Sequence, residues 1–187
     1  MSARLSVEQT PLAGLLVIRR NVLSDHRGYL ERLFCTTELA PFLDGRKIAQ
    51  VNHTLTRNAG AARGMHFQRR PFQETKIVSC LRGEVFDVAV DLRKGSATFG
   101  KWYGTVLSAD NHSSLYIPEG FAHGFQTLCS DCEMLYFHTA SYSAEAEGAV
   151  NMLDPAFGIE WPMAITERST RDESHPFITS AFEGLEI

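Results

Sequence analysis

Long apolar runs are missing from this sequence. The longest near the start, Leu12 to Ile18, falls well short of the about 20 residues a helix needs to cross a bilayer, so no membrane partner is expected. Glu8 precedes that run, Arg19 and Arg20 follow it, and no small-residue cleavage pattern is present, so no signal peptide is read. Cysteine is scarce: Cys35, Cys80, Cys129 and Cys132 are too few for a disulfide framework, which points to a reducing, cytoplasmic setting. Positive charge is not in excess either. Lys plus Arg number 18 against 22 Asp plus Glu, and the net charge of −4 disfavours nucleic acid as the main partner while leaving room for a local basic pocket that takes a small anion. Repeats, low-complexity tracts and linkers are also lacking, and 187 residues suit one domain.

What the sequence does have is regular punctuation. Glycines and prolines such as Gly28, Gly60, Gly64, Gly83, Gly95, Gly104, Pro118 and Gly120 recur at short intervals, with segments rich in Val, Ile, Phe and Tyr between them. Such spacing predicts an all-β sandwich or barrel. The clearest strand pair runs from Lys76 to Leu81 and from Glu84 to Asp91, joined by the turn Arg82-Gly83. In the second strand Phe86, Val88 and Val90 share one face, and Val85, Asp87, Ala89 and Asp91 the other. Leu115 to Ile117 and Phe125 to Leu128 flank the turn Pro118-Glu119-Gly120, and Cys132 to Thr139 reads as a further strand. Helix is limited to a turn or two near Thr37 to Phe42 and short pieces near the C-terminus; after about Asn151 the chain is loop-like, with Pro155, Pro162 and Pro176.

Two of the seven histidines stand beside glycines that let backbone and ligand approach closely: His66 in Arg63-Gly64-Met65-His66-Phe67-Gln68, and His123 in Pro118-Glu119-Gly120-Phe121-Ala122-His123-Gly124-Phe125. The second stretch matches the Pro-x-Gly-x-x-His pattern of cupin jelly rolls. Metal-binding cupins pair it with two histidines one residue apart, then a glutamate; here only His66 is present, followed by Phe67 and Gln68, so no metal is expected. Cys129-Ser130-Asp131-Cys132 is a lone CxxC without a second pair, and reads as two thiols at a strand connection. Lys76, inside an apolar strand, either snorkels to solvent or points into a cavity with an anionic occupant; Tyr136 is either a core aromatic or a buried acid.

With these blocks in view, the chain resembles the dTDP-4-dehydrorhamnose 3,5-epimerase family, metal-free cupins of nucleotide-sugar metabolism. The marks are Asp25-His26-Arg27-Gly28, Gln50-Val51-Asn52, the two histidine blocks, Lys76-Ile77-Val78, Gly83 through Arg93, Thr98-Phe99-Gly100-Lys101-Trp102, Asp154-Pro155 and Trp161-Pro162. The resemblance implies a cupin-type β-jelly roll (double-stranded β-helix) with short peripheral helices, one domain over 1–187 with a strand-forming N-terminal arm, and a homodimer whose N-terminal strands extend the partner's sheet. It implies His66 as general base, Asp172 as the carboxylate that orients it, Tyr136 as general acid and Lys76 as the cation facing the developing enolate. It also sets Arg27, Gln50, Asn52, Arg63, His123, Glu145 and Arg171 near the nucleotide-sugar substrate, and needs no cofactor.

The chemistry accounts for these residue types. A C4 ketone acidifies the protons on C3 and C5, and inversion takes a proton from one face and returns one to the other, so a base and an acid must oppose each other. Imidazole titrates near neutrality, a cation lowers the energy of the oxyanion intermediate, and arginine forks match a pyrophosphate. The expected reaction converts dTDP-4-dehydro-6-deoxyglucose to dTDP-4-dehydrorhamnose. The sequence departs from the pattern where Arg32 stands for a base-reading Glu, with Glu31 one step earlier, and where Phe137-His138 follows Tyr136 in place of Lys-Thr. These departures keep open a 3-epimerase of a different nucleotide-linked keto sugar, and outside the enzymes a non-catalytic sugar-nucleotide-binding cupin.

Overall fold

Strands, many of them buried on both faces, are the main regular structure of the molecule, a computed structural model that describes residues 3–187. In chain order they are β1 (Leu5–Gln9), β2 (Leu16–Arg20), β3 (Leu23–Asp25), β4 (Gly28–Leu30), helix α1 (Thr36–Leu43), β5 (Gln50–Thr56), β6 (Ala62–Gln68), β7 (Lys76–Arg82), β8 (Glu84–Asp91), β9 (Trp102–Ser108), β10 (Ser113–Ile117), β11 (Phe121–Thr127), β12 (Cys132–His138), β13 (Glu147–Ala149) and α2 (Thr170–Glu173). A six-stranded sheet in the order β1-β2-β10-β7-β12-β5 faces a five-stranded sheet in the order β13-β6-β11-β8-β9. All pairings within these sheets are antiparallel. This is the all-β jelly roll that the sequence predicts.

Apolar faces explain the layering. Between the sheets, Val78, Cys80, Leu115 and Met134 meet Val85, Ala89, Leu107 and Phe125. Outside the five-stranded sheet, Met65, Phe67, Val88 and Val90 are covered by Met152, Phe157 and Leu185 of the loop-rich C-terminal segment. Outside the six-stranded sheet, Ile18, Ile77 and Tyr116 are covered by Leu39 and Leu43, which lie one turn apart on α1. Each such leucine contributes roughly 1.5–3 kcal/mol of burial. Helix α1 ends where Asp44 takes a left-handed conformation, φ 49°, ahead of Gly45.

One expectation is overturned. β7 and β8 are strands, but they do not pair: β7 lies between β10 and β12, and β8 between β11 and β9. The Arg82-Gly83 turn carries the chain from one sheet to the other. Both faces of β8 are buried, which needs a layer on each side, and a two-stranded hairpin supplies none. Gly83, φ 76°, is needed at this corner because a Cβ would lie 2.8 Å from the Cys132 sulfur. β10 and β11 likewise fall in different sheets, and β11 starts at Phe121, directly after the Pro118-Glu119-Gly120 turn.

Candidate active site

At the end away from the Arg82-Gly83 corner the sheets part around a cavity of about 350 Å³. β6 and β11 of the five-stranded sheet supply Arg63, His66 and His123 to it. Asn52 and Thr54 of β5, Lys76 of β7, and Tyr136 and His138 of β12 face them from the six-stranded sheet, and Arg171 and Asp172 of α2 line one side. His66 and His123 are cross-strand partners. The strands that carry them come unusually close: a Cβ on Gly64, φ 121°, would lie 2.5 Å from the Cα of Gly124. That approach is why each histidine block carries a glycine within two residues of its histidine.

His66 Nε2–H donates to Asp172 Oδ1 at 2.7 Å. The His66 side chain is 33% exposed and that of Asp172 6%, so the carboxylate is enclosed while the imidazole is reachable. Asp172 is itself fixed. Its backbone N–H donates to Ser169 Oγ, which caps α2, and its Oδ2 faces the Gly64 N–H at 3.4 Å. Burial by itself raises the Asp172 carboxyl, but the hydrogen bond from His66, the charges of His66 and His175, and the Gly64 amide outweigh it and hold it below the usual aspartate value. An ionised Asp172 keeps the His66 proton on Nε2 and leaves the Nδ1 lone pair free.

Tyr136 faces this group from the opposite sheet. Burial pushes its phenol well above the ordinary value; the Thr54 hydroxyl pulls it back, the negative charge of Asp87 adds to the rise, and Arg63 opposes it. The phenol therefore holds its proton at neutral pH and can give it up only to a strong base such as a carbanion. Lys76 points into the cavity, which decides between its two readings, and it has a partner of its own: Nζ donates to Glu74 Oε1 at 3.2 Å. Glu74 also accepts from His138 Nδ1 at 2.8 Å. Burial raises the Glu74 carboxyl, but the His138 hydrogen bond and the Lys76 charge bring it below the usual range. His123 Nε2–H donates to Asp87 Oδ2 at 2.9 Å in a fully enclosed pair, and burial pushes the Asp87 carboxyl up.

Gln50 lines a smaller adjoining lobe of about 130 Å³ that shares Asn52, His66, Lys76 and His138 with the main cavity. Two expected residues are not brought together with the rest. Arg27 sits in the exposed β3–β4 hairpin, 78% exposed and paired with Asp25, and lines a separate surface groove. Glu145 is exposed and lines neither lobe; Glu147, two residues on in β13, is the carboxylate that accepts from Arg171 and, at 2.8 Å, from the Tyr142 hydroxyl. Sequence reasoning also missed Thr54, Glu74, Asp87, His138 and His175 as parts of the site. Only Asp87 carried a signal, as an acid between Val85 and Ala89 on one strand face.

His66, Asp172 and His175 bring two imidazoles and a carboxylate within 4.8 Å, the one such grouping among the described residues. That donor set could accept a transition metal. Here both imidazole Nε2 atoms are spent on the same carboxylate oxygen, so the group reads as a hydrogen-bonded cluster.

A jelly roll whose open end sets a carboxylate-bonded imidazole opposite a protonated phenol across a polar cavity has the form of a cupin-type isomerase site, with groups suited to moving protons. Residues 9–180 match the family model described as dTDP-4-dehydrorhamnose 3,5-epimerase, and the chain belongs to that family. It is 43% identical to the dTDP-4-dehydrorhamnose 3,5-epimerase of Salmonella typhimurium, with 94% of this chain and 96% of that protein covered. Its fold is similar to the dTDP-6-deoxy-D-glucose-3,5-epimerase of Legionella pneumophila in complex with dTDP-4-keto-L-rhamnose, with a TM-score of 0.88, 35% identity and 92% of each chain covered. It is similar as well to ChmJ of Streptomyces bikiniensis, a 3'-monoepimerase in complex with dTDP-quinovose, with a TM-score of 0.83, 33% identity, and 90% of this chain and 85% of that one covered.

Proposed function

We propose that the protein inverts C3 and C5 of dTDP-4-dehydro-6-deoxyglucose to give dTDP-4-dehydrorhamnose, with no cofactor. His66 Nδ1 takes the proton from the carbon next to the C4 ketone, and the electron pair moves onto the ketone oxygen. Lys76 offsets the charge on that oxygen. Tyr136 then protonates the carbon from the other face and is reprotonated from solvent, while the His66 imidazolium loses its proton to solvent. Arg63, Arg171, Asn52 and His123 hold the nucleotide sugar. The observation that carries this reading is that His66 and Tyr136 line one cavity from two different sheets.

Arg27 fits the reading only as part of a homodimer. The exposed β3–β4 hairpin, with Tyr29 and Leu30 more than half exposed, and the unpaired edge of β5, with Val51 52% exposed, are the apolar surfaces such a dimer would cover. Residues 1–187 act as one domain, and the enzyme works in the cytoplasm.

Turnover in deuterated water tests the reaction: one deuteron is expected at C3 and a second at C5. Label at C3 alone would favour a 3-epimerase, a reading kept in view by the likeness to a 3'-monoepimerase. Tight binding with label at neither carbon would favour a non-catalytic binder.

A further inference from the structure

We propose that His175 is a positioning residue that sets the proton affinity of His66 through their shared carboxylate, an inference that rests on reading His66 as the base. Asp172 Oδ1 accepts from His66 Nε2 at 2.7 Å and from His175 Nε2 at 3.1 Å. The two rings stand edge to face, with centroids 5.3 Å apart and planes at 87°. The His175 side chain is only 9% exposed. Its backbone is held independently of its ring, because the His175 carbonyl accepts from Asn151 Nδ2 at 3.0 Å and the Asn151 N–H donates to the Pro176 carbonyl at 2.9 Å.

The charged neighbours leave His175 one role. Burial lowers its proton affinity, the His66 charge lowers it further, and Arg171 adds to this against the pull of Asp172. Arg69 and Glu147 line the cleft outside the ring. A neutral His175 can serve Asp172 only as an N–H donor. A donor on Oδ1 draws charge from the oxygen that stabilises the His66 imidazolium, so it keeps His66 a free base to lower pH. The other groups around His66 stand on other elements: Glu147 on β13, the His123–Asp87 pair on β11 and β8, Arg63 on its own strand, and Lys76 and Tyr136 across the cavity.

The test is an NMR titration of the His66 ring Cε1–H in the wild type, His175→Leu and His175→Gln, read beside the pH profile of kcat/KM. The His66 resonance is identified by its loss in His66→Asn. Loss of one neutral donor should raise the His66 midpoint, and with it the acid limb of the profile, by about 0.5–1 pH unit in the leucine variant. One unit below the wild-type midpoint, kcat/KM should fall about three- to tenfold. Glutamine, which keeps an N–H donor and does not titrate, should restore the midpoint toward wild type. His175→Ala repeats the comparison with a smaller side chain. An unchanged midpoint in the leucine and alanine variants, or a glutamine variant displaced as far as leucine, overturns the proposal. If the wild type turns over no 4-keto sugar the proposed reaction fails instead, and the NMR midpoints still decide the role of His175.

Discussion

At the scale of single residues, the two members of the His66–Asp172 pair separate by how much each loses. His66→Asn keeps a polar side chain of similar reach but cannot accept a proton, so it should fold normally and lose at least about 100-fold in turnover. Asp172→Ala should lose less, since it orients the base and does not carry the proton; turnover assays on both, with circular dichroism to confirm folding, check the order. Asp172 also links the site to stability. Its folded carboxyl titrates below the ordinary value, so its contribution is fully present above about pH 3.9 and is lost as the pH falls through the lowered folded value. Urea midpoints should therefore separate wild type from Asp172→Asn at pH 7 and converge in acid strong enough to protonate Asp172 in the folded protein; a gap that persists there would locate the effect elsewhere. The groups that do this work differ in how visible they are in sequence. His66 and His123 announce themselves through nearby glycines. Glu74, Glu147 and His175 do not, because each matters only through a partner brought from another strand or helix.

At the scale of elements, α2 is four residues long and has little stability of its own. Its first turn depends on Ser169, whose hydroxyl accepts the Asp172 N–H at 3.0 Å. Ser169→Ala should cost about 1 kcal/mol and reduce kcat as well, since the N–H that the cap holds belongs to the residue whose carboxylate meets His66; equilibrium unfolding and steady-state assays together test the coupling. β7, β8, β10, β12 and the end of β11 are readable from alternation and from turn residues, as is α1 near Thr37 to Phe42. Their partners were not. Arg82-Gly83 looks the same as a hairpin turn in sequence, and only the burial of both faces of β8 tells that the chain changes sheets there. The segment after Asn151 reads as loop, and it is irregular, but Met152, Phe157 and Leu185 make it the outer wall of one sheet.

At the scale of the whole molecule, exhaustive chelation should leave turnover unchanged; loss of activity that returns on adding zinc, iron or manganese would reassign the His66, Asp172 and His175 cluster as a metal site. The partition of the site between two sheets has a further bearing. Among the described residues no sheet pairing links β6, which carries His66, to β12, which carries Tyr136, so the gap that a sugar ring must bridge is gauged by the side chains packed between the layers. Val78, Ala89, Leu107 and Met134 thus act as spacers in a caliper. They never meet the substrate, yet a change in their bulk alters the stroke over which a proton must travel, so that thermal stability and turnover are properties of one set of apolar contacts and should drift together as the sequence varies.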